Sequence, residues 1–196
     1  YEEIDIKIYD FDEGLSHRNV FNIQQDSTGY IWLATINGLN RFDGYSFIKY
    51  DSRSTTNPLP FDAISDMHID PSNRICLANP DYLTFLYPET NQVDTVRIKT
   101  GAIVRRESLV PYNLTMDDKG DMWFSAFDEK SARTTIYKMD KEGLVEEVTK
   151  AKGSYQKRPI AAFDGKMFVG AYENEVWEFD TDGKRLNTYE FPLSKT

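Results

Sequence analysis

Asp26-Ser-Thr-Gly29-Tyr-Ile31-Trp32-Leu33-Ala34 and, 91 residues later, Asp117-Asp-Lys-Gly120-Asp-Met122-Trp123-Phe124-Ser125 match without a gap. Two further stretches fit the same frame: Asp70-Pro-Ser-Asn73-Arg-Ile75-Cys76-Leu77-Ala78, and Asp164-Gly165-Lys166-Met167-Phe168-Val169-Gly170 with a shortened turn. Aligned on the first tryptophan, the reference positions are Trp32, Cys76, Trp123 and Phe168, separated by 44, 47 and 45 residues. A unit of roughly 45 residues therefore repeats four times and fills the chain.

Each unit reads as four strands. The first alternates, with Phe21, Ile23 and Gln25 on one face, like Ser65, Met67, Ile69 and Tyr112, Leu114, Met116; that is the period of a strand buried on one side. The second is a continuous apolar run, as in a strand covered on both faces, and always ends in a small residue: Ala34, Ala78, Ser125 or Gly170. The third ends in Leu39–Asp43 and its counterparts, and the fourth is Phe47–Tyr50, Val93–Val96, Val145–Val148 or Leu186–Tyr189. Asp opens the turns and Gly supplies the positive φ that they need. Repeating four-stranded antiparallel units of this length are the mark of β-propeller blades, each needing neighbours on both sides to bury its faces. The expected fold is all-β, with blades at about 18–51, 61–97, 109–149 and 158–191. Residues 1–9, where Ile4, Ile6 and Ile8 alternate, are expected as an extra edge strand.

Composition narrows the function. The 12 Phe, 12 Tyr and 3 Trp among 196 residues are too much apolar surface for a solvated coil, and one domain of this size buries roughly 70% of its unfolded surface. A net charge of −9 repels phosphate backbones, so no nucleic acid partner is expected. No apolar run reaches the roughly 20 residues of a membrane span, so no direct membrane contact is expected. Cys76 is alone and His17 and His68 are the only imidazoles, which leaves little for metal or nucleophilic chemistry; no catalysis and no cofactor are expected. The chain opens at Tyr1 and reads as a mature segment or an excised piece.

The stretch Gly14-Leu-Ser-His-Arg-Asn-Val20 through Asp26-Ser-Thr-Gly-Tyr-Ile-Trp32-Leu-Ala-Thr35 to Gly38-Leu-Asn-Arg-Phe-Asp43 resembles the opening repeat of the two-component regulator propeller, the sensor region of hybrid two-component histidine kinases. The later repeats are degenerate: Asn73 replaces the turn Gly and Cys76 the Trp. The resemblance implies a signal-transducing sensor on the periplasmic, extracytoplasmic side of the inner membrane of a Gram-negative bacterium, responding to oligosaccharides from polysaccharide breakdown. It also implies a ring of seven blades; these four read as part of one, so the remaining blades of the same sensor are expected partners, the alternatives being that four blades close on themselves or that chains associate. Alone, the arc is expected to self-associate as a dimer, because open faces and strand edges promote association. The alternatives are a propeller glycoside hydrolase or lyase, or a purely structural arc.

Most carboxylates have a structural job in sequence terms. Asp26, Asp70, Asp117, Asp140 and Asp180 open turns. Asp180-Thr-Asp182-Gly183 starts like a calcium loop but lacks the further acids and closing Glu. His17 lies in the entry segment to the first strand, where the resemblance implies a structural turn; His68 is expected on the solvent-leaning side of its strand, and Cys76 reads as a buried inert thiol. If a ligand binds, the expected face carries the loops from strand two to three and the blade linkers. Tyr82 and Tyr172 would stack on sugar rings there, with Asn37, Asp81, Asp128 and Glu173 as hydroxyl partners.

Overall fold

The four repeats become four antiparallel sheets in chain order. The computed structural model describes residues 6–80, 82–100, 110–128, 133–152, 159–171 and 174–192. Blade 1 is β1 (Val20–Gln25), β2 (Ile31–Thr35), β3 (Gly38–Phe42) and β4 (Phe47–Tyr50). Blade 2 is β5 (Asp66–Ile69), β6 (Ile75–Asn79), β7 (Tyr82–Tyr87) and β8 (Gln92–Arg97). A short β9 (Lys99–Thr100) then pairs in parallel with the last strand of blade 3, which is β10 (Pro111–Met116), β11 (Met122–Asp128), β12 (Arg133–Met139) and β13 (Leu144–Lys152). Blade 4 is β14 (Ile160–Phe163), β15 (Lys166–Gly170), β16 (Glu175–Asp180) and β17 (Arg185–Glu190). The described residues contain no helix.

The expected strand over residues 1–9 falls partly outside the described residues, and residues 6–9 form no strand. Tyr9 packs edge-on against Phe42 at 4.9 Å and Phe47 at 6.0 Å between ring centroids, so this segment lies on the face of blade 1 instead of along an edge.

The turn between the first and second strands is built the same way in blades 1, 2 and 3. One oxygen of Asp26 accepts from the backbone N–H groups of Thr28 and Tyr30, both at 3.0 Å, and Gly29 N–H closes on the Asp26 carbonyl. The other oxygen accepts the Trp32 indole N–H at 2.8 Å. Asp117 repeats this with Lys119, Asp121 and, at 2.9 Å, the Trp123 indole. Burial pushes the Asp26 carboxyl upward, but the bonds from Trp32, Thr28 and Tyr30 outweigh it and hold it below its ordinary pKa. In blade 2, with Cys76 in place of the indole, Arg74 Nε donates to Asp70 at 2.8 Å instead. Asn73 takes the glycine's place at φ 60°, a conformation Asn tolerates better than most residues.

Every sheet has a forward and a backward face. Trp32 packs forward into a core with Met67, Ile75 and Leu77 of blade 2. Cys76 packs forward against Leu114, Met122 and Phe124 of blade 3, and Trp123 against Met167 and Val169 of blade 4. The reference position therefore always looks towards the next blade, and Phe168 differs from the other three in its burial. It occupies the equivalent site but is only half-buried, because no described sheet follows blade 4. The mirror-image exposure appears at the other end. Phe21 and Ile23, on the backward face of blade 1, are 45% and 60% exposed, whereas the counterparts of Ile23, Met67 and Leu114, are buried and those of Phe21, Ser65 and Tyr112, are half-buried.

A second equivalence joins the position two before the reference to the residue paired across from the reference on strand three. In blade 1 it is Tyr30 with Arg41, guanidinium to ring centroid 4.5 Å. In blade 2 the partners exchange places, Arg74 over Phe85 at 4.6 Å. Blade 3 uses an ion pair, Asp121 with Lys138 at 2.9 Å, and blade 4 the reversed pair, Lys166 with Glu178 at 2.6 Å. These are diagonal cross-strand neighbours, within reach for long side chains. Glu178 also accepts from the Tyr189 hydroxyl; the bonds from Lys166 and Tyr189 hold its carboxyl below the usual range.

Two tests follow from the packing. Trp123→Ala removes a fully buried side chain and the indole bond to Asp117, and should cost about 3–5 kcal/mol in denaturant unfolding; a loss under about 1 kcal/mol would place the indole outside the core. Cys76 is 2% exposed and burial pushes its thiol pKa well upward. A thiol reagent should therefore label it at the rate of unfolding, and fast labelling of the native protein would contradict the packing.

Candidate functional site

The lead-in to blade 1 is fixed by a buried polar network. The backbone N–H of Ser16 donates to Asn40 Oδ1 at 3.0 Å, Asn40 Nδ2 donates to Ser16 Oγ at 2.7 Å, and the Ser16 and Thr35 hydroxyls lie 3.0 Å apart. The Thr35 hydroxyl donates to the Gly38 carbonyl at 2.7 Å. Gly38 must be glycine: its φ is 108°, and a Cβ there would sit 2.5 Å from the Tyr50 carbonyl oxygen. Asn37 belongs to the same lock, donating to the Ser16 carbonyl at 3.2 Å. His17 accepts from the Asn19 N–H at 2.9 Å and stays in the turn expected for it.

The strands β1, β5, β10 and β14 follow one another along the inner side of the arc, with a concavity at each end. The smaller, about 320 Å³, lies at the loop end between Phe21, Asn22, Asp66, Tyr112 and Ile160. Asp66 is buried there and bridges three blades: Asn22 Nδ2 donates to one oxygen at 2.6 Å and Leu114 N–H to the other at 2.9 Å. Sequence reasoning does not single out Asp66. Its signal is a polar residue recurring at one frame position: Asn22, Asp66 and Asn113.

The larger concavity, about 1170 Å³, opens at the opposite, turn end. It starts at the inner side of the arc, where Gln25, Ile69, Met116 and Ala162 each come from a different blade, and runs outward between blades 2 and 3 to Tyr87, Val96 and Lys141. Its floor is apolar, with Phe85, Met122 and Met139; Arg74, Asp94, Asp117, Asp118 and Asp140 supply the charge. Here the reading of His68 is corrected. It is half-buried on the cleft wall, since strand β5 packs between neighbouring blades rather than at the surface. Burial lowers its imidazole pKa against the opposing pull of Asp70 and Asp66.

The structure brings few of the sequence-stated candidates together. Tyr82 opens β7 at the loop end, 37% exposed, and Asn37 is spent on the lock above. Asp128 ends β11; Asp81, Tyr172 and Glu173 lie outside the described residues. The turn aspartates are engaged with backbone: Asp140 and Asp180 each accept from two N–H groups, at 3.0 and 2.8 Å and at 3.1 and 2.8 Å. Among the described residues no cluster of three or more His, Cys, Asp or Glu is placed to hold a metal ion.

Comparison with known proteins agrees with this architecture. Histidine kinase P4 of Formosa agariphila is 47% identical over 38 residues, 19% of this chain and 3% of that protein. The extracellular domain assigned to the hybrid two component system BT3049 of B. thetaiotaomicron superposes with a TM-score of 0.66 at 22% identity, over 95% of this chain and 26% of that one. Virginiamycin B lyase of Staphylococcus aureus superposes at 0.63 with 16% identity, over 89% and 56%. This chain thus spans 3% of the curated relative and about a quarter and a half of the two solved chains, and the superpositions bear on the fold alone. Residues 14–37 match the family model for the two component regulator propeller. That segment holds the Ser16–Thr35 contact, the Asp26–Trp32 bond and Asn37, so the family match falls on the lead-in and first two strands of blade 1 in a β-propeller arc.

Proposed function

We propose that this chain is a non-catalytic, ligand-sensing propeller segment of a hybrid two-component sensor histidine kinase, placed on the extracytoplasmic side of the inner membrane and responding to oligosaccharides. The match over residues 14–37 carries the reading, and the use of the aspartates supports it. A glycosidase needs two free carboxylates about 5–9 Å apart, whereas the turn carboxylates here are committed to the backbone, and two of them to indoles. The half-buried Phe168 face of blade 4 and the exposed Phe21–Ile23 face of blade 1 suit further blades of the same sensor.

Two measurements test this. A panel of neutral and acidic oligosaccharides should contain a class that raises the melting temperature, by an amount equivalent to about 2.7 kcal/mol at one hundred times Kd, with no release of reducing ends. No stabilising glycan, or steady hydrolysis abolished by an acidic-residue change, would overturn the sensor reading. In addition, the isolated chain should scatter light as a dimer, and Phe163→Asp, at a side chain 74% exposed on blade 4, should return it to a monomer. A wild-type monomer would show that the end faces do not drive association.

A further inference from the structure

The three junctions between blades differ at the turn end. Between blades 1 and 2, Ser27 N–H donates to Asn73 Oδ1 at 2.9 Å and Asn73 Nδ2 returns a bond to Ser27 Oγ at 2.7 Å. Between blades 3 and 4, Lys119 bonds Asp182 and Lys138 Nζ donates to the Thr181 carbonyl at 2.8 Å. At the middle junction the frame positions of Ser27 and Asn73 are Pro71 and Gly120, which have no side-chain donor or acceptor. This unlatched junction is where the 1170 Å³ cleft opens.

We infer that the cleft between blades 2 and 3 is the saccharide site of this chain, and that it selects neutral glycans over uronic or sulfated ones. The inference rests on the oligosaccharide reading above and adds the place and the charge class. Half-buried Tyr87, Val96 and Met116, packed over the buried Phe85, Met122 and Met139, are its exposed apolar lining, and the Met116 thioether is adaptable in shape; they suit the C–H face of a pyranose. Arg74 lies over Phe85 and is already neutralised by Asp70, so it offers hydrogen bonds without an uncompensated positive charge. Asp94 on one wall and Asp118 on the other are exposed acceptors for hydroxyls. Together with Asp117 and Asp140 they outnumber Lys141, the remaining cation of the lining, and repel an anionic sugar. The cleft exceeds the roughly 300–1,000 Å³ of a small-ligand pocket, which fits an oligosaccharide better than a monosaccharide.

The test compares neutral cello-, xylo- and manno-oligosaccharides with oligogalacturonate by titration calorimetry, on wild type and three variants. Pro71→Ser with Gly120→Asn installs the blade 1–2 latch at the middle junction; Asn suits the φ of 82° there as Asn73 suits its own. The latched variant should bind the neutral glycan at least tenfold more weakly while its unfolding midpoint holds or rises. Asp94→Asn with Asp118→Asn, both exposed, should narrow the preference for neutral over acidic glycan at least threefold. Tyr82→Ala, on the loop face, should leave affinity unchanged. Should Tyr82→Ala abolish binding while the latched and Asn variants bind as wild type does, the sensor reading survives and the cleft assignment falls. Tighter binding of oligogalacturonate than of any neutral glycan overturns the charge selection. A wild type that binds no glycan overturns both.

Discussion

The bond from Asp26 to the Trp32 indole, repeated from Asp117 to Trp123, holds the rest of this structure in place. A single carboxylate does two things at once. One oxygen gathers the backbone N–H groups of the turn, which sets where the second strand begins. The other anchors a large ring beneath the next sheet, which sets how far apart two blades stand. Turn and junction are therefore not independent choices: a carboxylate that lost its hold on the backbone would also release the ring that separates the blades. Buried indole N–H groups need an acceptor, and the turn provides one within the same six residues.

From that constraint follows the polarity of the arc. Each sheet offers its reference side chain forward and receives its neighbour's backward, so three complete junctions leave two unlike faces open at the ends. The diagonal pair on each forward face carries the same logic with different chemistry. Tyr30–Arg41 and Arg74–Phe85 place a cation on a ring in opposite orders, while Asp121–Lys138 and Lys166–Glu178 place opposite charges in opposite orders. What is kept is attraction between two positions; which residue supplies which half is free to change.

The strands and the turns were legible in the sequence because both are local: Asp-x-x-Gly and a run of four apolar residues are read within ten positions. Facing was harder. Ile23 holds the same place in the alternation as Met67 and Leu114, and only the presence or absence of a preceding blade decides which of them is buried. Phe168 is left half-buried for the same reason at the other end. The diagonal pairs stayed hidden because the two partners are separated by strand-two-to-three loops of unequal length, so linear spacing does not align Lys138 with Arg41; the strand register does. His68 was set on the wrong side because strand alternation says nothing about a wall made by another blade. The cleft itself was illegible, since it lies between two blades, at the junction where Pro71 and Gly120 hold the places of Ser27 and Asn73.

The junction latches also bear on how the chain reaches its native state. Four units built on one frame share nearly interchangeable cores, and repeat proteins of that kind are prone to misassembly between units. Ser27 with Asn73, and Lys119 with Asp182, are by contrast particular to their own junctions. They act as addresses: an off-by-one stacking would still bury hydrocarbon, but it would set an unanswered lysine or an unpaired amide against the wrong turn. Among the described residues the middle junction carries no such label at its turn end, so the order of assembly there is left to the covalent chain, to the bridge that Asp66 makes and to the bond from the Ser65 hydroxyl to the Pro111 carbonyl.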